Sequence, residues 1–147
     1  TPELLVAISA LSTNLGAADV TEVEWITTAA DRSAGYTLSV RVRYNEAVTV
    51  GGSPTLEVTN GNQGTGGGRG PHTLVYASGT GSNELVFSLV IGANNGATNP
   101  DDVLTIGAQN IELAGGTIKD ATGTASNASV AISAGQGTAA GSITVTA

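Results

Sequence analysis

From Val20 onward, apolar and polar residues alternate in short runs. In YTLSVRVRY (36–44) Leu38, Val40, Val42 and Tyr44 share one face while Ser39, Arg41 and Arg43 share the other, the two-residue period of a half-buried antiparallel strand. VTEVEWIT (20–27) likewise turns Val23 and Trp25 inward and Glu22 and Glu24 outward. Further runs follow at AVTV, TLEVT, TLVYA, ELVFSLVI, DVLTI, IELAGGTI, SVAIS and SITVT, separated by Gly, Asn, Asp and Pro. In ELVFSLVI, Leu85, Phe87, Leu89 and Ile91 face one way and Val86 and Val90 the other, so this strand is expected to be covered on both sides.

The opening segment TPELLVAISALSTNLG has a different period. Leu4, Ile8, Leu11 and Leu15 fall on one helical stripe, with Thr1 placed to cap, Pro2 at the first helical position and Glu3 where the helix dipole favours an anion. A strand through Val6 and Ile8 is the competing reading; the short helix is preferred. The chain therefore divides into an N-terminal segment, 1–19, and an all-β body, 20–147. Many short strands at about ten-residue spacing predict an antiparallel β-sandwich of immunoglobulin-like architecture for that body.

Composition narrows the function classes. A chain of 147 residues has the size of one domain and room for a single core. It has no cysteine, so stability must come from packing and hydrogen bonding. A net charge of −7, with only Arg32, Arg41, Arg43, Arg69 and Lys119 as cations, lacks the basic footprint that phosphate backbones require, and no nucleic-acid partner is expected. No run approaches the roughly 20 apolar residues of a membrane-spanning helix, so no membrane insertion is expected. Thr1 is the kind of residue left by removal of an initiator methionine or of a leader; the first reading, a complete small protein, is the expectation.

Candidate chemistry is sparse. His72 is the only histidine, and Ser78 in YASGTG does not form the Gly-x-Ser-x-Gly elbow of a hydrolase. No catalytic site is expected, and the ligands for zinc are lacking. Calcium is the one cofactor to weigh, with Asp101 and Asp102 in TNPDDV, Glu46 and Asp120 as oxygen ligands. Polar turns after Pro100 and in KDATG are the preferred account of these aspartates, leaving no cofactor. Glu22 and Glu24 would pair with Arg41 and Arg43 if their strands are neighbours. Trp25, Tyr36, Tyr44, Tyr76 and Phe87 are read as core bulk.

Four segments in order, YNEAVTV (44–50), GSPTLEV (52–58), YASGTGSNELVF (76–87) and GGTIKDATGTAS (115–126), resemble the immunoglobulin-like repeat modules of large bacterial surface adhesins, which also occur in tailed-phage virion proteins. Asn45 and Thr124 stand where that pattern usually has Ser and Asn. The resemblance covers about residues 20–147 and implies a non-enzymatic scaffold. A lone module implies a protein partner outside itself. The expectation is a virion-surface decoration or cement subunit, bound to a major capsid protein or to identical subunits. The alternative is a bacterial cell-surface adhesin module or secreted filament subunit.

Within residues 60–70 the run GNQGTGGGRG concentrates six of the 21 glycines. A phosphate loop would need Lys then Ser or Thr, followed by a helix; here Arg69 and Gly70 lead into Pro71 and a strand. Against the family pattern the run looks like an extended hairpin tip. The expected partner contacts are Leu4, Ile8 and Leu11 on the N-terminal segment, and Arg69, Pro71 and His72 at this tip.

Overall fold

The computed structural model describes residues 17–61, 71–96, 98–121 and 126–147. Its strands are β1 (Val20–Trp25), β2 (Ala30–Asp31), β3 (Tyr36–Gly51), β4 (Thr55–Gly61), β5 (His72–Ser78) and β6 (Ser82–Ile91). They continue with β7 (Val103–Thr105), β8 (Gln109–Asn110), β9 (Thr117–Asp120), β10 (Ala131–Ile132) and β11 (Ser142–Thr146), with a short helix α1 (Ala134–Ala140) before the last. The fold is all-β and sandwich-like, with one small helix among the described residues.

Nine strands join in the order β1-β3-β6-β5-β4-β7-β11-β2, with β9 added alongside β3, while β8 and β10 form a separate ribbon. This sheet curls so that its inward residues meet: Val23, Leu38, Val40, Val42, Leu56, Val58, Leu74, Leu85, Phe87, Leu104 and Val145 are all buried. The inward set of β3 is the alternating one read from the sequence. Pairing is antiparallel except between β11 and β2, where Val145 and Thr146 run parallel to Ala30 and Asp31.

YTLSVRVRY and AVTV, expected as separate strands, form one strand of 16 residues. No Gly or Pro interrupts them. Instead one edge of β3 changes partner midway, Val40 to Tyr44 pairing with β1 and Val48 to Gly51 with β9, while the other edge pairs with β6 over Tyr36 to Arg43 and again at Val48. The run IELAGGTI is not a continuous strand, because Ala114 and Gly115 both take positive φ, 51° and 81°, and turn the chain before β9. Nor is β6 covered on both faces. Val86 is half-buried and Val90 is 74% exposed on the outer side of the sheet.

The helix sits where the sequence suggested a loop. Ser133 caps it, its hydroxyl accepting from Gln136 N–H at 3.1 Å while Gln136 Oε1 accepts from Ser133 N–H at 2.9 Å, a reciprocal capping box. Gln136 Nε2 also donates to the Val20 carbonyl at 2.9 Å, and Trp25 Nε1 to the Gly141 carbonyl at 3.2 Å. The helix therefore lies along β1 and occupies the Val20 carbonyl, which an open strand would offer to another chain. On its other side the helix approaches the segment after β7, which Gly137 allows: a Cβ there would run into the Ile106 carbonyl oxygen.

The packed body begins just before β1. Ala18 is buried; its N–H donates to Asp120 Oδ1 at 2.7 Å and its carbonyl accepts from Ser129 N–H at 2.8 Å. Asp19 N–H donates to Asn45 Oδ1 at 3.0 Å, so the amide of Asn45 anchors this entry.

Candidate functional site

The outer face of β1, β3 and β6 carries a ladder of charge. Register sets Glu22 opposite Arg43, Glu24 opposite Arg41, and Arg43 opposite Glu84. Arg41 Nη1 donates to Glu24 Oε1 at 2.7 Å, and Arg43 Nη2 lies 3.1 Å from the same oxygen. Arg43 Nε lies 3.0 Å from Glu84 Oε1, although it is not aligned for a hydrogen bond. Arg41 to Glu84 and Arg43 to Glu22 close the network at 3.6 Å each. The hydrogen bond it donates to Glu24 holds the Arg41 guanidinium above its ordinary pKa. The pairing of Glu22 and Glu24 with Arg41 and Arg43 is the one the sequence pattern suggested; Glu84 on β6 is an addition of the structure.

Beside this ladder the same outer face turns apolar. Val75 lies opposite Ser88 on β6, and Val90 is two residues farther along that strand on the same side. Their exposures are 40% and 74%. Val75 is the middle residue of β5 and Val90 the penultimate one of β6; exposed Pro71 directly precedes β5.

The expected contact residues divide. Leu4, Ile8, Leu11 and Arg69 lie outside the described residues, as does Thr124. Pro71 is exposed, but His72 is not at the surface: it is 5% exposed and points into the sandwich. The reason is strand parity, since His72 shares the inward face of β5 with Leu74. The flanking strands do pair as a hairpin, Val58 with His72 and Thr55 with Val75. The glycine-rich run therefore connects two neighbours of one sheet.

The three aspartates weighed for calcium occupy different environments. Asp101 is exposed with φ 72°, a left-handed conformation that Asp tolerates better than most residues. Asp102 is fully buried, in line with Leu104 and Ile106, and its Oδ2 accepts from Asn99 N–H at 2.8 Å. Asp120 is buried on β9 and holds Ala18. Desolvation, then the adjoining Asp120, pushes the Glu46 carboxyl above its ordinary pKa. Among the described residues no three His, Asp or Glu side chains group as metal ligands.

His72 and Asp102 instead belong to a buried polar cluster that sequence reading missed. Burial lowers the His72 pKa below its ordinary value, partly offset by the negative charge of Asp102. Burial likewise raises the Tyr36 hydroxyl, with Thr98 opposing and Asp102 reinforcing. The signal was available: HTLVY and DVLTI each place a polar residue in phase with the apolar side of a strand.

A groove of about 460 Å³ lies between α1 and the segment after β7. Thr105, Gly107, Ala134, Thr138 and Ser142 are in its wall, and none of its lining residues is ionisable. No protein-family model, curated protein or solved structure matches this chain.

Proposed function

We propose that the chain is a non-enzymatic structural module held in a protein assembly, in first place a capsid decoration or cement subunit of a tailed phage. Its partner is the major capsid protein or further copies of itself, and its location the virion surface. The observation that carries the protein-contact reading is the exposed Val75–Val90 spot. It is an apolar break in a face whose charges are otherwise paired. Apolar spots inside a polar rim suit protein contacts. The order of the four adhesin-like segments supports a scaffold module of the kind found on virions and on bacterial surfaces.

Other features support the same reading. Arg41 and Arg43 are engaged by carboxylates, leaving little basic surface on this face for a polyanion. The one histidine is enclosed, and the groove beside α1 offers no acid or base. Because the adhesin-like segments equally fit a bacterial cell-surface module or filament subunit, that is the second reading.

Immunogold labelling with antibody raised against the recombinant chain separates the two. Gold on virion heads supports the decoration subunit, gold on cell envelopes the surface module. Label on neither, with the antigen free in the lysate, would overturn both.

A further inference from the structure

Two asparagines in this chain precede a glycine, in Asn60–Gly61 and Asn95–Gly96. A backbone nitrogen can attack the side-chain amide carbon of the asparagine before it, and only glycine brings that nitrogen in with no side chain of its own in the way. Every other asparagine precedes a residue with a side chain, and the nitrogen after Asn99 belongs to Pro100 and has no hydrogen to lose.

The fold treats the two pairs in opposite ways. Asn60 is 8% exposed on the inward side of β4, and the ladder with β7 holds it opposite Leu104 and Gly61 opposite Val103. To react there, the Gly61 nitrogen would have to turn out of an extended, paired strand towards a buried amide. Asn95 and Gly96 are exposed, in the loop between β6 and β7. The chain turns at this point: Asn95 N–H donates to the Gly92 carbonyl at 3.2 Å, and Thr98 N–H to the Asn95 carbonyl at 3.3 Å. Around Gly96 there is open space, since a Cβ there would meet nothing within 4 Å.

We propose that Asn95 is a site of spontaneous deamidation, and that the sandwich protects Asn60 from the same reaction. The Gly96 nitrogen gives its proton to hydroxide and bonds to Asn95 Cγ; the Cγ–Nδ2 bond then breaks and ammonia leaves, closing a succinimide. Water adds to either ring carbonyl and opens the ring, giving aspartate or, with the backbone rerouted through Cβ and Cγ, isoaspartate. Water is consumed, ammonia is released, and nothing is oxidised or reduced. Either product puts a carboxylate into a loop that Arg32 fastens, with Nε donating to the Thr98 carbonyl at 2.8 Å and Nη2 to the Asn94 carbonyl at 3.4 Å. Isoaspartate also lengthens the backbone by one carbon between those two carbonyls.

Incubation of the folded chain at mildly alkaline pH, followed by peptide mapping with electron-transfer fragmentation, tests this. Aspartate and isoaspartate should accumulate at residue 95 at least about tenfold faster than at residue 60, which must wait for the ladder to open. Gly96→Ala has space for its methyl group and a backbone φ outside the left-handed region. That variant should fold, slow the reaction at Asn95 and leave Asn60 as it was. Incubation in guanidinium chloride is the control: there the two sites should react at similar rates, because only the fold sets them apart. An intact Asn95 in the folded chain, or a rate there no greater than at Asn60, would overturn the proposal. So would a preference for Asn95 that persists unchanged in the denaturant.

Discussion

Enclosing the imidazole of His72 makes the stability of the fold depend on pH. Its pKa lies below the ordinary 6.5 in the folded chain, whereas the unfolded chain titrates near that value. Above 6.5 neither state holds the proton and the contribution is complete. As pH falls through that value the unfolded state takes up the proton first, and stability is lost until folded His72 is protonated too. Glu46 has the opposite sign: its raised carboxyl pKa means that the folded state binds a proton first as pH falls. Comparing wild type with His72→Gln isolates the imidazole. Between about pH 7.5 and 5.5 the urea midpoint of the wild type should fall more than that of the variant; parallel pH profiles would contradict the enclosed neutral histidine. Gly79 gives a second test at this scale. It has φ 116°, and a Cβ there would meet the Glu84 carbonyl, so Gly79→Ala should cost about 2–4 kcal/mol in chemical denaturation. The positions of His72 and Asp102 were legible from strand parity, in phase with Leu74 and with Leu104 and Ile106. Residue type pulled the other way, because a lone histidine or an Asp pair after proline reads as surface. Parity prevailed because a strand has only two faces.

The strands themselves were largely legible, since the apolar period of β1, β3 and β6 is also their inward set. What escaped was how they are joined and ended. The continuity of β3 depends on the handover of one edge from β1 to β9 between Tyr44 and Val48, a long-range event that no local pattern records. Helix α1 was hidden by two glycines in seven residues, each costing about 1 kcal/mol against alanine in a helix interior. Its capping box, Ser133 with Gln136, was the readable signal. Ser133→Ala should lower stability by about 1 kcal/mol. Gln136→Ala also removes the bond to Val20 and should speed amide exchange along β1, measured by hydrogen–deuterium exchange. The charge ladder contributes less. Its side chains keep 30–51% of their surface exposed, so Glu24→Gln should cost no more than about 1 kcal/mol, and the loss should shrink in molar salt.

For the whole molecule, the proposed function makes the exposed Val75–Val90 spot on a curled, hydrogen-bonded sandwich the contact surface. Val90→Glu should leave the thermal midpoint near that of the wild type, because Val90 is 74% exposed, while abolishing retention on the assembly. A truncation also discriminates. Removal of residues 1–16 keeps Ala18 and its bonds to Asp120 and Ser129, so the body should fold; loss of retention would then place docking in the N-terminal segment. A truncation that removes Ala18 as well confounds the two effects. Neither the partner nor the assembly was legible beyond the resemblance of the four segments, because contact surfaces follow the partner's shape rather than any period along the chain. The most direct measurement is the protein composition of gradient-purified virions from the phage lysate that carries this chain. The account predicts a stoichiometric band containing it, lost when Val90→Glu replaces the wild type; particles with a full complement of other structural proteins and none of this chain would contradict it.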